Sequence, residues 1–167
     1  MKSYILICLI TLLIQQDAFV INKKSVGPLM VGSYVEEIYR YFDKDKETKL
    51  IDSYYETAFS PGMQVTRAGE VLFVANINCK TISSFEIYSP RYKTSFGICV
   101  GSNFGELKKI KQNVTLNTNE GNLSAAIKEL DMSILFENDK RIQSLNFSRV
   151  TLKDMPDDVK ITSIIVY

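Results

Sequence analysis

The apolar positions of the chain follow two rhythms. Val35, Ile38, Tyr39 and Phe42 recur at i, i+3, i+4 and i+7, which is one face of a helix. Gly32-Ser33 stands just before them: glycine permits a tight turn, Ser33 is a good helix N-cap, and Glu36 three residues on completes a capping box. Asp43-Lys44-Asp45-Lys46-Glu47 ends that helix in solvated charge. A second helix is predicted after Gly101-Ser102, where Ser102 is the cap and Phe104, Leu107 and Ile110 form the buried face. Its capping box is missing, because Gly105 occupies the acid's place.

Elsewhere the rhythm is that of strands. Leu50 to Thr57, Met63 to Arg67, Val71 to Asn76 and Ile82 to Tyr88 are rich in β-branched and aromatic residues. Pro61-Gly62 and Ala68-Gly69 are turn signals between them, and Asn76 to Lys80 reads as a longer hairpin loop. Met132, Ile134 and Phe136 alternate with Ser133, Leu135 and Glu137, a half-buried strand. Asn138-Asp139-Lys140 turns into a strand over Ile142–Phe147, and Val159 to Val166 closes the chain as another. Leu123 to Leu130 is open between helix and strand. Helices and strands joined by hairpin-length links, without a β-α-β rhythm, predict an α+β fold: an antiparallel sheet with two short helices.

The elements also recur. Val31 to Ile38 matches Val100 to Leu107 in the pattern Val-Gly-Ser, three residues, Glu and a branched apolar. Lys80 to Ile87 matches Lys140 to Phe147 in the same order. Together they predict a tandem repeat of a helix-plus-hairpin unit, with halves of about 25–94 and 95–167.

One segment stands apart. Lys2 is followed by the apolar run Tyr4 to Ile14 and a polar stretch ending at Ala18, the three parts of a secretory signal with cleavage after Ala18. The run is too short for an ordinary spanning helix. Cys8 lies inside it, too early for a lipid-attachment cysteine. Residues 19–167 are then a single mature domain, periplasmic or secreted, touching a membrane only peripherally. Cys79 and Cys99 remain in it, free to form one bridge or to serve as two separate buried thiols.

Composition narrows the chemistry. Twenty Lys+Arg against 19 Asp+Glu leave a net charge of +1, so there is no basic field for nucleic acid. There is no His, which removes serine–histidine and cysteine–histidine catalysis and imidazole metal sites. The acids of Asp43 to Glu47 alternate as in a calcium loop, yet Thr48 and Tyr54 stand where that loop needs Gly and Glu. Glu36, Glu37 and Glu106 form no recognisable carboxylate pair. Gly97-Ile98-Cys99-Val100-Gly101-Ser102 lacks the Gly-Lys-Ser/Thr ending of a phosphate loop. Lys108, Lys109 and Lys111 read as a solvated helix face, and Asn113, Asn122 and Asn146 head glycosylation sequons that matter only in a eukaryotic secretory route. No cofactor is implied. The tyrosines, among them Tyr34, Tyr39, Tyr41, Tyr54, Tyr55, Tyr88 and Tyr92, are the features best suited to contacts with another protein.

Three short motifs carry a family likeness. Val26-Gly27-Pro28-Leu29, Gly97 to Ser102 running into Glu106-Leu107, and Met155-Pro156-Asp157-Asp158 followed by Lys160 to Ile165 resemble the uncharacterised sigma-E-regulated envelope lipoprotein family of bacteria, from about Ser25 to the end. The resemblance implies an exported envelope protein and supplies no catalytic residues. The chain departs from it in lacking the lipidated cysteine. The expectation is a non-enzymatic periplasmic protein, an interaction or envelope-maintenance module whose unknown envelope partner docks on a strand edge or a tyrosine-bearing sheet face. The alternative is a protein that holds a small apolar ligand or lipid between sheet and helices.

Overall fold

The computed structural model describes residues 19–55, 58–110, 114–119 and 122–167. The expected signal segment, with Ala18, lies outside them. Among the described residues twelve strands follow in chain order: β1 (Val20–Asn22), β2 (Ser25–Val26), β3 (Leu29–Met30), β4 (Thr48–Tyr55), β5 (Ala58–Arg67), β6 (Glu70–Asn78), β7 (Thr81–Ile87), β8 (Lys93–Thr94), β9 (Val114–Asn119), β10 (Asn122–Ile127), β11 (Met132–Phe136) and β12 (Ile161–Val166). The helices are short: a 3₁₀ helix α1 (Val35–Arg40), then α2 (Phe104–Leu107) and α3 (Lys140–Gln143), with one further 3₁₀ turn at Lys128–Leu130.

Eight strands form one antiparallel sheet in the order β4-β5-β6-β7-β12-β11-β10-β9. Consecutive hairpins build β4 to β7 and β9 to β12 as two meanders, and β7 pairs with β12 to join them. That junction is symmetric: Phe85 faces Val166, Glu86 faces Ile165 and Ile87 faces Ile164. The ladders on either side correspond. Each shifts register at the same place, between Asn76 and Ile77 in the first meander and between Leu135 and Phe136 in the second. A bulge of this kind strengthens the local twist.

One face of this sheet is the core. Phe73, Phe85, Ile87, Ile134 and Ile164 on it are fully buried. The four-stranded sheet β3-β2-β1-β8 covers it with Ile21, Val26 and Leu29, the helices add Ile38, Phe104 and Leu107, and Phe42 joins them from the turn after α1. Phe73 is the hub, with edge-on ring contacts to Phe42 at 5.6 Å, Phe85 at 5.6 Å and Tyr92 at 5.9 Å. Such geometry suits the ring quadrupole. The helical face expected from Ile38 and Phe42, and that from Phe104 and Leu107, both point into this core.

Several expectations need correcting. The antiparallel, sheet-rich fold with short helices is found, but the helix-plus-hairpin unit with halves 25–94 and 95–167 is not. Each half of the sheet is a four-stranded meander, and the second sequence match pairs a strand, Lys80 to Ile87, with a stretch that contains α3. Asp139 accepts from the Arg141 backbone N–H at 2.7 Å, an N-cap that turns Ile142 into a helical residue rather than a strand residue. Pro61-Gly62 lies inside β5, where Pro61 pairs with Asp52 on the outermost hairpin and is not needed as a donor to a third strand. Asn76 to Lys80 is not a long loop: the strands run to Asn78 and from Thr81, and Cys79 and Lys80, both at positive φ, make the tight two-residue turn.

The caps shift by one residue. Tyr34 and Asn103 precede α1 and α2, and neither helix has a side-chain cap. Ser33 Oγ donates to the Met30 carbonyl at 2.7 Å instead, so the Ser33–Glu36 capping box is not formed. Ser102 Oγ accepts from the Cys99 backbone N–H at 3.3 Å. Cys79 and Cys99 are both free, the first exposed and the second half-buried.

Candidate functional site

The two Gly-Ser turns have a role that outranks helix capping. Gly32 donates its N–H to the Ile82 carbonyl at 2.7 Å, Ile82 donates to Ser33 O at 2.9 Å, and Val35 donates to Lys80 O at 3.0 Å. The second half repeats the set: Gly101 to Ile161 O at 2.8 Å, Ile161 to Ser102 O at 3.0 Å, and Phe104 to Val159 O at 2.8 Å. Each turn is thereby strapped to the start of a central strand, β7 or β12. Gly32 and Gly101 sit at φ of +90° and +85°, the left-handed region that glycine enters without strain. Gly97 to Ser102 is brought against the segment Met155 to Ile165 by these bonds of Gly101 and Ser102 with Ile161, and just beyond it Gly105 donates to Asp157 O at 2.8 Å and Lys108 Nζ lies 2.6 Å from Asp157. An added Cβ at Gly105 would stand 3.0 Å from the Asp157 Cβ, which explains why no capping-box acid occupies that position.

Strapping β7 and β12 in this way fixes what they present on the face opposite the core. A single row crosses all eight strands there: Lys49, Gln64, Val74, Glu86, Ile165, Ser133, Ala126 and Thr115 are successive cross-strand partners. At its middle the floor is small and polar. Asn76, Ser84 and Ser163 are buried. Asn76 Nδ2 donates to Ser84 Oγ at 2.9 Å, and Ser163 Oγ donates across the junction to Glu86 Oε1 at 3.0 Å. The bulge residues Ser83 and Thr162, beside Ser84 and Ser163, are exposed.

Two tyrosines rim this floor. Tyr88 follows β7 and Tyr167 follows β12, at corresponding ends of the symmetric junction, and they are 39% and 38% exposed. Burial of the Tyr88 ring, reinforced by the Glu86 carboxylate beside it, pushes its phenol well above the ordinary tyrosine range, so it stays a neutral donor to Glu86. Tyr167 lines an open groove of 640 Å³ with Asn117, Ala126 and Ser133, and Lys24, Lys128 and Asp131 also border it. The surface therefore offers two amphipathic rings around a carboxylate already oriented by serine and tyrosine donors. That is a set of groups for holding a partner by stacking and hydrogen bonding.

The remaining grooves border the stretch between β11 and β12. This connection replaces the two-residue turn of the first meander with residues 137–160. One groove of 320 Å³ lies between Leu123, Phe136, Ile142 and Phe147. Another, of 510 Å³, lies between Thr115, Leu116 and Val150–Lys153. Arg141 clamps the stretch, reaching Asp139 at 2.6 Å and Asp158 at 2.9 Å.

Of the residues singled out by sequence, Tyr88 reaches the rim. Gly32, Ser33, Gly101 and Ser102 support the floor's strands, and Glu36 stands on α1. Cys79 and Cys99 lie apart from the floor, in the β6–β7 turn and in the turn before α2. Tyr92 is buried in the core, and the side chains of Tyr54 and Tyr55 lie outside the described set. Glu86, Ser84, Ser163 and Tyr167 were missed. Their signal was a polar residue set inside otherwise apolar strands, Ser84 and Glu86 in β7 and Ser163 in β12. Among the described residues no group of three or more Cys, Asp or Glu is placed to hold a metal ion. No helix among them is long and apolar enough to cross a membrane.

The fold is sheet-rich and mostly antiparallel, one eight-stranded sheet accompanied by a small four-stranded one. Among solved structures it is similar to the uncharacterised protein yfeY from Escherichia coli, with a TM-score of 0.62 and 16% sequence identity over 86% of this chain and 96% of that one. At that identity the likeness concerns the fold. No protein-family model and no curated protein matches the sequence.

Proposed function

We propose that the chain is a non-enzymatic envelope protein that binds another protein through the open sheet face, with Tyr88 and Tyr167 as its anchors. The observation that carries this reading is the pair of half-exposed tyrosines at corresponding ends of the β7–β12 junction, around a buried polar floor. Tyrosine is favoured in protein contacts because its body is apolar and its tip polar, and it loses little rotamer freedom on docking. Export rests on the signal-like run ending at Ala18, and membership of the sigma-E-regulated envelope family on the three motifs named above.

A photo-reactive amino acid placed at Tyr88, at Tyr167 or at the distant, exposed Lys44 tests the surface in the native host. Adducts of one mass are expected from the first two positions and not from Lys44. Adducts from Lys44 alone, or from none, would overturn the assignment of the face. Fractionation followed by N-terminal sequencing tests the location: an exported protein beginning at Phe19 is expected, and a cytosolic protein retaining Met1 would refute export.

The competing reading, an apolar ligand held between sheet and helices, is disfavoured by what fills that space. Phe73, Phe85, Phe104 and Leu107 there are fully buried and in contact as a close-packed core.

A further inference from the structure

The large sheet has two edges, and they are built differently. At one end β4 carries Lys49 and Asp52, charges of the kind that discourage strand addition. At the other, β9 reads Val114-Thr115-Leu116-Asn117-Thr118-Asn119, six residues with no charge and no proline. Its ladder with β10 runs over six consecutive pairs without a register shift, so no bulge twists the edge away. Among the described residues β9 pairs with β10 and with no other strand. The neighbouring segment Val150–Lys153 flanks Thr115 and Leu116 but is held by its own turn, in which Thr151 donates to Asp154 through its N–H and hydroxyl at 2.8 and 2.7 Å. Alternate residues of β9 therefore direct N–H and C=O groups outward, the template for another strand.

We propose that this edge is where a second copy of the chain docks, by antiparallel pairing of β9 with its own copy across a two-fold axis, extending the sheet from one molecule into the next. The strand is complementary to itself. Antiparallel partners must share a face, and a register centred on Leu116 meets that condition at every position. Leu116 stands against its own copy on the core face, Val114 against Thr118 on the same face, and Thr115 against Asn117 on the open face. Each unlike pair occurs twice, as a two-fold axis requires. Apolar meets apolar or threonine methyl, polar meets polar, and no like charges are opposed. The protein already joins its own two meanders by the same device, the pairing symmetric about Glu86 and Ile165. The proposal does not depend on the Tyr88–Tyr167 surface.

Sedimentation equilibrium of the purified protein, from micromolar to millimolar concentration, should show a reversible monomer–dimer equilibrium. Asn117→Lys places a charge on an exposed position at the edge and should raise the dissociation constant by more than about ten-fold, while Asn117→Ser should leave it within about three-fold. With the three native cysteines replaced by serine, Leu116→Cys should give an oxidised dimer, and Lys49→Cys on β4 should not. A monomer across the whole range would overturn the proposal. So would a dimer indifferent to Asn117→Lys, or one that cross-links through Lys49→Cys.

Discussion

Gly32 and Gly101 should respond alike to alanine, because the fold uses them alike. Their N–H groups bond Ile82 and Ile161 at 2.7 and 2.8 Å, and their φ angles are +90° and +85°. No heavy atom lies within 4 Å of the place where a Cβ would stand on either, so the substitution meets open space and its cost is backbone strain alone. A side chain in the left-handed region costs about 1–2 kcal/mol. Removing glycine from the unfolded chain returns about 0.4–1 kcal/mol. The net loss should be about 1 kcal/mol for Gly32→Ala and the same for Gly101→Ala, or a fall in melting temperature of about 2–4 °C for a domain of this size. Gly105→Ala should differ in kind. Its φ is ordinary, but the new Cβ would lie 3.0 Å from the Asp157 Cβ and 3.2 Å from the Asp157 carbonyl oxygen. Overpacking of that sort costs about 1–3 kcal/mol and should loosen the stretch that Asp157 belongs to. Urea unfolding measures all three, with an unchanged slope showing that the shift in midpoint reports stability. If Gly32→Ala and Gly101→Ala differ by more than about 1 kcal/mol, or if neither loses stability, the two straps are not equivalent and the symmetry of the junction fails.

Three further outcomes test other parts of the structure. Glu47 accepts from Arg67 Nε at 2.6 Å and from the Asp43 N–H at 2.8 Å, which hold its carboxyl below the ordinary value of 4.5. Its contribution is complete above pH 4.5 and lost as pH falls through the lower folded value, so the stability gap between wild type and Glu47→Gln should close in acid; a gap constant down to pH 2 refutes the assignment. Tyr92 lies in the core and burial raises its phenol from 10.0 to about 12. Stability should be full below pH 10 and fall as the pH rises towards 12, and Tyr92→Phe should flatten that alkaline limb; an unaltered limb would place the loss elsewhere. Cys79 should react with a thiol reagent at once and Cys99 more slowly, with both free in unreduced protein; a mass two hydrogens short would restore the bridge.

What the sequence made legible was local. Phe104 with Leu107 reports a helical face because spacing alone places them together, whereas of the face predicted over Val35 to Phe42 the helix keeps Ile38 as its buried residue and ends at Arg40, with Phe42 reaching the core from the turn beyond. The β-branched runs report strands for the same reason. The caps were misplaced because Gly32-Ser33 and Gly101-Ser102 are strand-like partners of β7 and β12: Tyr34 bridges Thr81 and Asn103 bridges Lys160, so the helices begin only after those bridges. Propensity describes what a serine does next to a helix, and here a distant strand competes for the same backbone. The stretch after β11 was misread although its signal was present, since Asp139 before Lys140-Arg141 is an N-cap and Ile142 with Leu145 is helical spacing.

The candidate site was illegible for a deeper reason. Its floor exists only once β7 and β12 lie side by side, and nothing local to Glu86 points to Ile165 or Ser163. A strand pattern fixes which face a residue takes, but not which strand will lie beside it. Read alone, Ser84, Glu86 and Ser163 are polar interruptions of apolar strands. Paired, they fall into two hydrogen-bonded pairs in which Ser84 and Ser163 are buried and Glu86 half-buried, and burying polar groups without partners is costly enough that the pairing must supply them. Asn76 to Ser84 and Ser163 to Glu86 supply them. The same bonds constrain the rim, because Glu86 accepts from Ser163 and also from the Tyr88 phenol. A Ser163→Ala variant should therefore weaken binding at Tyr88 while changing no surface contact, whereas an interface built from exposed residues alone would be indifferent to it.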